Sequence, residues 1–228
     1  MDIGLGGKRA LVTGASGGIG LAIMKALSEM GCEVCGCART KPLSGWYGNF
    51  IALDLSNQAG VDDLCQLVEE QHDSIDILIN NIGGGGRWGD EKIANTQPKV
   101  WKEVYWKNAE VATLLTMWAI KGMEQRKWGR VVTIASVHGL DNRGRPWFNM
   151  AKSAEISLMK TLAYTQYYEG ITFNSVCPGP IQVGNPLESG LMGQPEDVAS
   201  LVAFLCSDQA RWINGAAIVV DGGASGSF

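Results

Sequence analysis

Short, uniformly apolar runs that alternate with longer amphipathic stretches constrain this chain more than any single motif. The runs Lys8 to Thr13, Cys32 to Cys37, Phe50 to Leu53, Ile75 to Ile79, Arg130 to Ala135, Ile171 to Cys177 and Ala216 to Val220 are apolar almost throughout, not at every second position. Strands of that kind are buried on both faces. Between them, Leu21 to Met30, Val61 to Gln71 and the stretches at about 98–125, 147–169 and 195–206 carry apolar residues at helical spacing. This alternation predicts an α/β fold, a doubly wound parallel sheet of about seven strands with helices on both faces. With no repeat, low-complexity tract or linker in 228 residues, a single domain over 1–228 is expected.

Composition narrows the partners. A net charge of −4 offers no concentrated basic face for nucleic acid. No apolar run approaches the ~18 residues of a membrane span, and Met1 to Leu5 do not resemble a secretory leader, so a cytoplasmic protein is expected. Cys32-x-x-Cys35 has the spacing of a redox or zinc half-site, but residues three apart on a strand point to opposite faces. No second Cys/His pair accompanies it, so no metal site is expected and the six cysteines are read as reduced thiols, mostly buried.

The first run leads into Thr13-Gly14-Ala15-Ser16-Gly17-Gly18-Ile19-Gly20 and then a helix. Strand, glycine turn and helix in that order let backbone N–H groups and a helix N-terminus approach a pyrophosphate, as in a Rossmann fold; a tight turn without a ligand is the plainer reading. Gly14, Ser16, Gly18, Ile19 and Gly20 are therefore candidate cofactor residues. At the end of the second run stands Ala38-Arg39-Thr40, with no acidic residue to hold adenosine ribose hydroxyls. A guanidinium suits a 2′-phosphate, so NADP(H) is expected in preference to NAD(H); a solvated surface arginine is the competing reading, since Gly17 offers no second cation.

Asp54-Leu55, Asn80-Asn81-Ile82-Gly83, Asn108, Ser136, Phe148-x-x-x-Lys152, Pro178-Gly179 and Val220-Asp221-Gly222-Gly223 complete a set in which the chain resembles the short-chain dehydrogenase/reductase family along nearly its whole length. The resemblance implies a nicotinamide-dependent carbonyl/alcohol oxidoreductase with an Asn–Ser–Tyr–Lys tetrad. It implies that Asp54 contacts adenine with Leu55 beside it, and that Asn80 borders the cofactor. Asn108 would anchor a water-linked proton path to Lys152, which grips the nicotinamide ribose. Ser136 would hold the substrate oxygen, and Pro178, Gly179 and Ile181 would lie beside the nicotinamide. Homodimers or homotetramers built on the helices near 98–125 and 147–169 are a further implication.

The departure is Phe148, where the family carries its tyrosine. A phenol whose pKa is lowered by an adjacent ammonium can protonate the alkoxide formed by hydride transfer; a phenyl ring cannot. Two explanations stand: a substituted form of an active enzyme, with severely reduced activity, or a natural pseudoenzyme that keeps the nucleotide as sensor or scaffold. Retention of Asn108, Ser136 and Lys152 favours the first.

On the substrate side, Arg87-Trp88, His138 and Asn142-Arg143-Gly144-Arg145-Pro146-Trp147 border the expected pocket. His138, Arg143, Arg145 and Trp147 are candidate contacts to a polar small molecule, anionic or sugar-like. Solvated arginines over packed tryptophans are an equal reading. The segment from Pro180 to Gly193 is short for the substrate lid that the resemblance implies, so a relatively open pocket is expected.

Overall fold

The computed structural model of the protein describes residues 4–42, 45–165, 167–182 and 192–225. Strands β1 (Arg9–Thr13), β2 (Glu33–Ala38), β3 (Asn49–Ala52), β4 (Ile77–Asn80), β5 (Gly129–Ile134), β6 (Ile171–Pro178) and β7 (Ala217–Val220) form one sheet. Its order is β3-β2-β1-β4-β5-β6-β7, and every neighbouring pair is parallel. Strand order reverses direction between β1 and β4, and the crevice at the carboxyl ends of those strands is where such sheets bind ligands.

Helices α1 (Gly18–Glu29) and α7 (Pro195–Cys206) pack on one face, with Ile23, Met24 and Leu27 meeting Val198, Val202 and Leu205 over Ala10, Val12, Ile77 and Ile79. Helices α2 (Gln58–His72), α4 (Val111–Arg126) and α6 (Pro146–Thr165) cover the other, where Leu64, Val68, Leu115 and Met159 meet Leu11, Leu78, Val131 and Phe173. Successive strand residues thus feed opposite cores, which is why the runs read as continuously apolar. Each fully buried leucine or isoleucine contributes ~1.5–3 kcal/mol, so burial on both faces fixes the register.

Elements begin and end within a few residues of the sequence pattern, with one informative difference. The stretch expected as a helix over about 98–125 is three pieces: α3 (Pro98–Tyr105), a single π turn (Trp106–Glu110) and α4. The wide turn carries Asn108 into the interior, where its side-chain amide donates to the Val104 carbonyl at 2.7 Å. Such turns recur at functional sites.

All six cysteines are free; Cys65 is partly buried and the other five are buried. Burial pushes the Cys35 thiol up to about 11 and Cys37 to about 12, so neither is a thiolate near neutrality. Among the described residues no cluster could hold a metal ion, and no helix is long and apolar enough to cross a membrane.

Candidate active site

The turn after β1 is built on glycine. Gly14 has φ +64, a conformation that favours glycine. A methyl on Gly20 would run into the Gly14 carbonyl oxygen, so the first turn of α1 packs directly on the loop. Gly17 caps α1 without a side-chain hydrogen bond, and no acidic residue stands in the first turn. The leading N–H groups of α1 are therefore open to an anion. Gly18, Ile19 and Gly20 form that turn.

Gly14, Ser16, Arg39, Asp54 and Leu55 line a cavity of about 870 Å³ that runs along the carboxyl ends of β1, β2 and β4. Arg39 is exposed at its edge, and among the described residues no carboxylate forms an ion pair with it. One Asp54 oxygen accepts the Ser56 N–H at 3.2 Å. The opposite wall includes Trp88, Trp101 and Trp106, and the Trp106 indole donates to the Leu55 carbonyl at 2.9 Å. Open helix N–H groups, the Asp54 carboxylate and the Arg39 guanidinium at one cavity are groups that would fit a dinucleotide.

Asn80 does not line the cavity. Its amide is buried and donates to Thr116 Oγ1 at 3.0 Å and Thr133 Oγ1 at 3.3 Å, tying β4 to α4 and β5. Its neighbour Asn81 faces the cavity and donates to the carbonyls of Thr13 at 2.9 Å and Gly14 at 3.1 Å, bracing the turn. Adjacent strand residues point to opposite sides, which decides between the two.

Gly83 stands between the cavity and the side chains of Asn108 and Lys152. It lines the cavity, and a Cβ there would stand 2.7 Å from Asn108 Oδ1 and 3.2 Å from Lys152 Nζ. Only a residue without a side chain lets these two polar ends share the space. Asn108 is clamped there, accepting from Gly84 N–H at 3.1 Å and donating to the Gly84 carbonyl at 2.9 Å.

Lys152 is buried. Its ammonium donates to the Ile134 carbonyl at 2.9 Å and meets the Glu155 carboxylate at 2.9 and 3.1 Å. An ammonium has three donors, so one remains for a ligand. Burial pushes the Glu155 carboxyl up to about 7, against the pull of Lys152. Glu155 is absent from the sequence reading; spacing i,i+3 from a lysine on a helix ordinarily marks a surface pair.

Phe148 is partly buried on the first turns of α6, its ring centroid 5.8 Å from Lys152 Nζ. Ser136 follows β5, and its Oγ accepts the His138 N–H at 3.2 Å. Of the tyrosines further along the chain, Tyr164 and Tyr167 are exposed and Tyr168 packs on Phe173. The Pro178 carbonyl accepts from Val137 N–H, and Gly179 N–H donates to the Val220 carbonyl, fixing the loop after β6. Ile181 pairs with Gly193 across an isolated bridge. The expected lid falls largely on 183–191, outside the described residues.

On the substrate side, Trp147 is buried beneath Gly89. The Arg145 guanidinium donates to the Gly89 carbonyl, while the Arg143 side chain is two-thirds exposed with Nε 3.9 Å from Asp141. His138 stands at the start of α5 (His138–Asp141), its ring against Phe148.

A family model described as enoyl-(acyl carrier protein) reductase matches residues 14–225. The 3-oxoacyl-(acyl-carrier-protein) reductase FabG of Vibrio cholerae is 30% identical over 241 residues, which cover 96% of this chain and 98% of that protein. Its namesake in Rickettsia felis is 32% identical over 240 residues, 97% of this chain and 98% of that one. The crystal structure of gox2181 superposes with a TM-score of 0.85 at 26% identity, covering 97% of each chain.

Proposed function

The chain belongs to the short-chain dehydrogenase/reductase family, and on that footing we propose that it interconverts a carbonyl and an alcohol on a polar small molecule, with NADP(H) as hydride carrier. The observation that carries this reading is the junction at Gly83, where Asn108 and Lys152 meet the end of a dinucleotide-sized cavity. Bound NADP(H) would supply or accept the hydride. The remaining work falls to the chain: the third Lys152 donor holds a ribose hydroxyl, Ser136 holds the substrate oxygen, and Asn108 fixes the loop between them.

Arg39, exposed and without an ion-pair partner among the described residues, supports a 2′-phosphate and hence NADP(H). Exposed guanidinium groups at Arg87 and Arg143 support a polar, anionic or sugar-like substrate; the relatives are named as reductases of 3-oxoacyl-(acyl-carrier-protein), which supports a carbonyl as the reacting group. Exposed Met117 and Tyr164, on the outer surfaces of α4 and α6, support a homodimer or homotetramer. With no hydroxyl at position 148, turnover is severely reduced, as in a tyrosine-to-phenylalanine form of an active enzyme. The competing reading is a nucleotide sensor or scaffold without turnover, and the same buried lysine and clamped asparagine speak against it.

Titration with NADPH and NADH, followed by quenching of the cavity tryptophans, tests the nucleotide site. NADPH is expected to bind the more tightly. Equal affinities would refute the cofactor preference, and binding of neither would leave an interaction protein as the better reading.

A further inference from the structure

The reductase needs a proton source, and position 148 has none. One titratable ring lies against that position. The imidazole of His138 meets Phe148 edge-on, with ring centroids 6.3 Å apart and an interplanar angle of 72°. The ring starts beside the substrate-oxygen site, because the His138 N–H donates to Ser136 Oγ at 3.2 Å.

The ring is also oriented from behind. His138 Nδ1 lies 3.3 Å from Asp141 Oδ1. An ionised carboxylate only accepts, so Nδ1 carries the hydrogen and Nε2 is the nitrogen left for proton exchange. The Asp141 side chain is 8% exposed while that of His138 is 41% exposed, so the dyad is anchored at one end and reaches solvent at the other. The charged groups around it are Arg143, which approaches Asp141, and Lys152 with Glu155 on α6 behind Phe148.

We propose that His138, oriented by Asp141, delivers the proton that the absent hydroxyl at position 148 would otherwise deliver. The proposal rests on the reductase reading above. As hydride reaches the carbonyl carbon, the π electrons of the C=O bond move to oxygen and give an alkoxide, which Ser136 holds. The alkoxide takes the Nε2 proton of the imidazolium; the N–H bonding pair stays on the ring, now neutral with its Nδ1–H still on Asp141. Water then returns a proton to Nε2. In the oxidation direction the neutral Nε2 accepts the alcohol proton.

The test is a double-mutant comparison of His138→Gln and Phe148→Tyr, with ethyl acetoacetate and phenanthrenequinone as carbonyl probes and NADPH oxidation as readout. In the parent chain His138→Gln is expected to lower kcat by about 10²-fold or more. In the Phe148→Tyr background, where the phenol is restored, the same change should matter little. The parent's rate should decline with rising pH, because only the protonated ring can give up the Nε2 proton, and Phe148→Tyr should lose that dependence. A second readout needs no cofactor: in nitrogen nuclear magnetic resonance spectra the neutral His138 ring should carry its hydrogen on Nδ1, and Asp141→Asn should abolish that single tautomer.

An inert parent beside an active Phe148→Tyr form overturns the proposal while sparing the reductase reading. Equal losses from His138→Gln in both backgrounds also overturn it, since they mark a substrate contact. So does loss with Tyr105→Phe but not His138→Gln, because Tyr105 lines the cavity and carries a hydroxyl. No turnover by either form refutes the reductase reading, and the proposal with it.

Discussion

The Lys152–Glu155 pair makes the folded chain sensitive to pH in a direction opposite to most carboxylates. Glu155 is 2% exposed, and burial raises its carboxyl from the ordinary 4.5 to about 7. Between those values the folded chain keeps a proton that the unfolded chain has released, so stability falls as pH rises. From about pH 6 to about pH 8.5 the fall attributable to this residue works out at about 1 kcal/mol. For a chain of this length that lowers Tm by roughly 2–4 °C. Glu155→Gln keeps the shape and an acceptor for Lys152 but does not ionise in this window. Thermal unfolding of both proteins across the pH series isolates the effect, because subtracting the variant's slope removes every other titrating group. The variant should be flatter by about 1 kcal/mol. Parallel slopes would refute the view that desolvation outweighs the lysine's attraction at this site.

Restoring the hydroxyl with Phe148→Tyr should raise kcat by about 10²-fold or more, measured with the same carbonyl probes; no rise with a substrate shown to bind would remove position 148 as the cause of low turnover. Arg39→Ala should weaken NADPH by about tenfold while leaving NADH nearly unchanged, since one charge-assisted hydrogen bond is worth ~1.5–3 kcal/mol; equal losses would contradict the 2′-phosphate assignment. Gly20→Ala should destabilise the fold by about 1–3 kcal/mol through overpacking on Gly14 and abolish nucleotide quenching; normal quenching would show that the loop yields. Double replacement of Arg143 and Arg145 by alanine should weaken anionic ligands selectively, and an equal effect on neutral ones would argue against an anionic substrate.

The sheet was legible because strands buried on two faces leave an unmistakable record, and Ala10, Leu11 and Val12 show it by feeding alternate cores. The glycine turn after β1 was legible for a related reason: Gly14 is required by its own backbone conformation, and a Cβ on Gly20 would strike the Gly14 carbonyl six residues before it. What the residues alone left hidden depends on contacts between distant segments. Asn80 and Asn81 are chemically identical, and only strand orientation sends one to the core and the other to the cavity. Glu155 reads as half of a surface pair until α6 is seated on the sheet. The contact of His138 with Phe148 depends on how the segment from 138 to 146 folds back, which no periodicity records.

The π turn at Trp106–Glu110 has a meaning for how the chain tolerates changes in length. It holds one residue more than a regular turn, and each helical residue advances the direction of its side chain by ~100°. Deleting a residue from this turn would let a regular helix run from α3 into α4, and two demands would then conflict. If α4 kept Val111, Leu115 and Met123 on the sheet, α3 would rotate away from the cavity wall it supplies. If α3 kept its place, those apolar side chains would swing off the core. The extra residue is a phase correction between two surfaces, so a one-residue deletion here misaligns one of them, and Asn108 sits at the point where the phases meet.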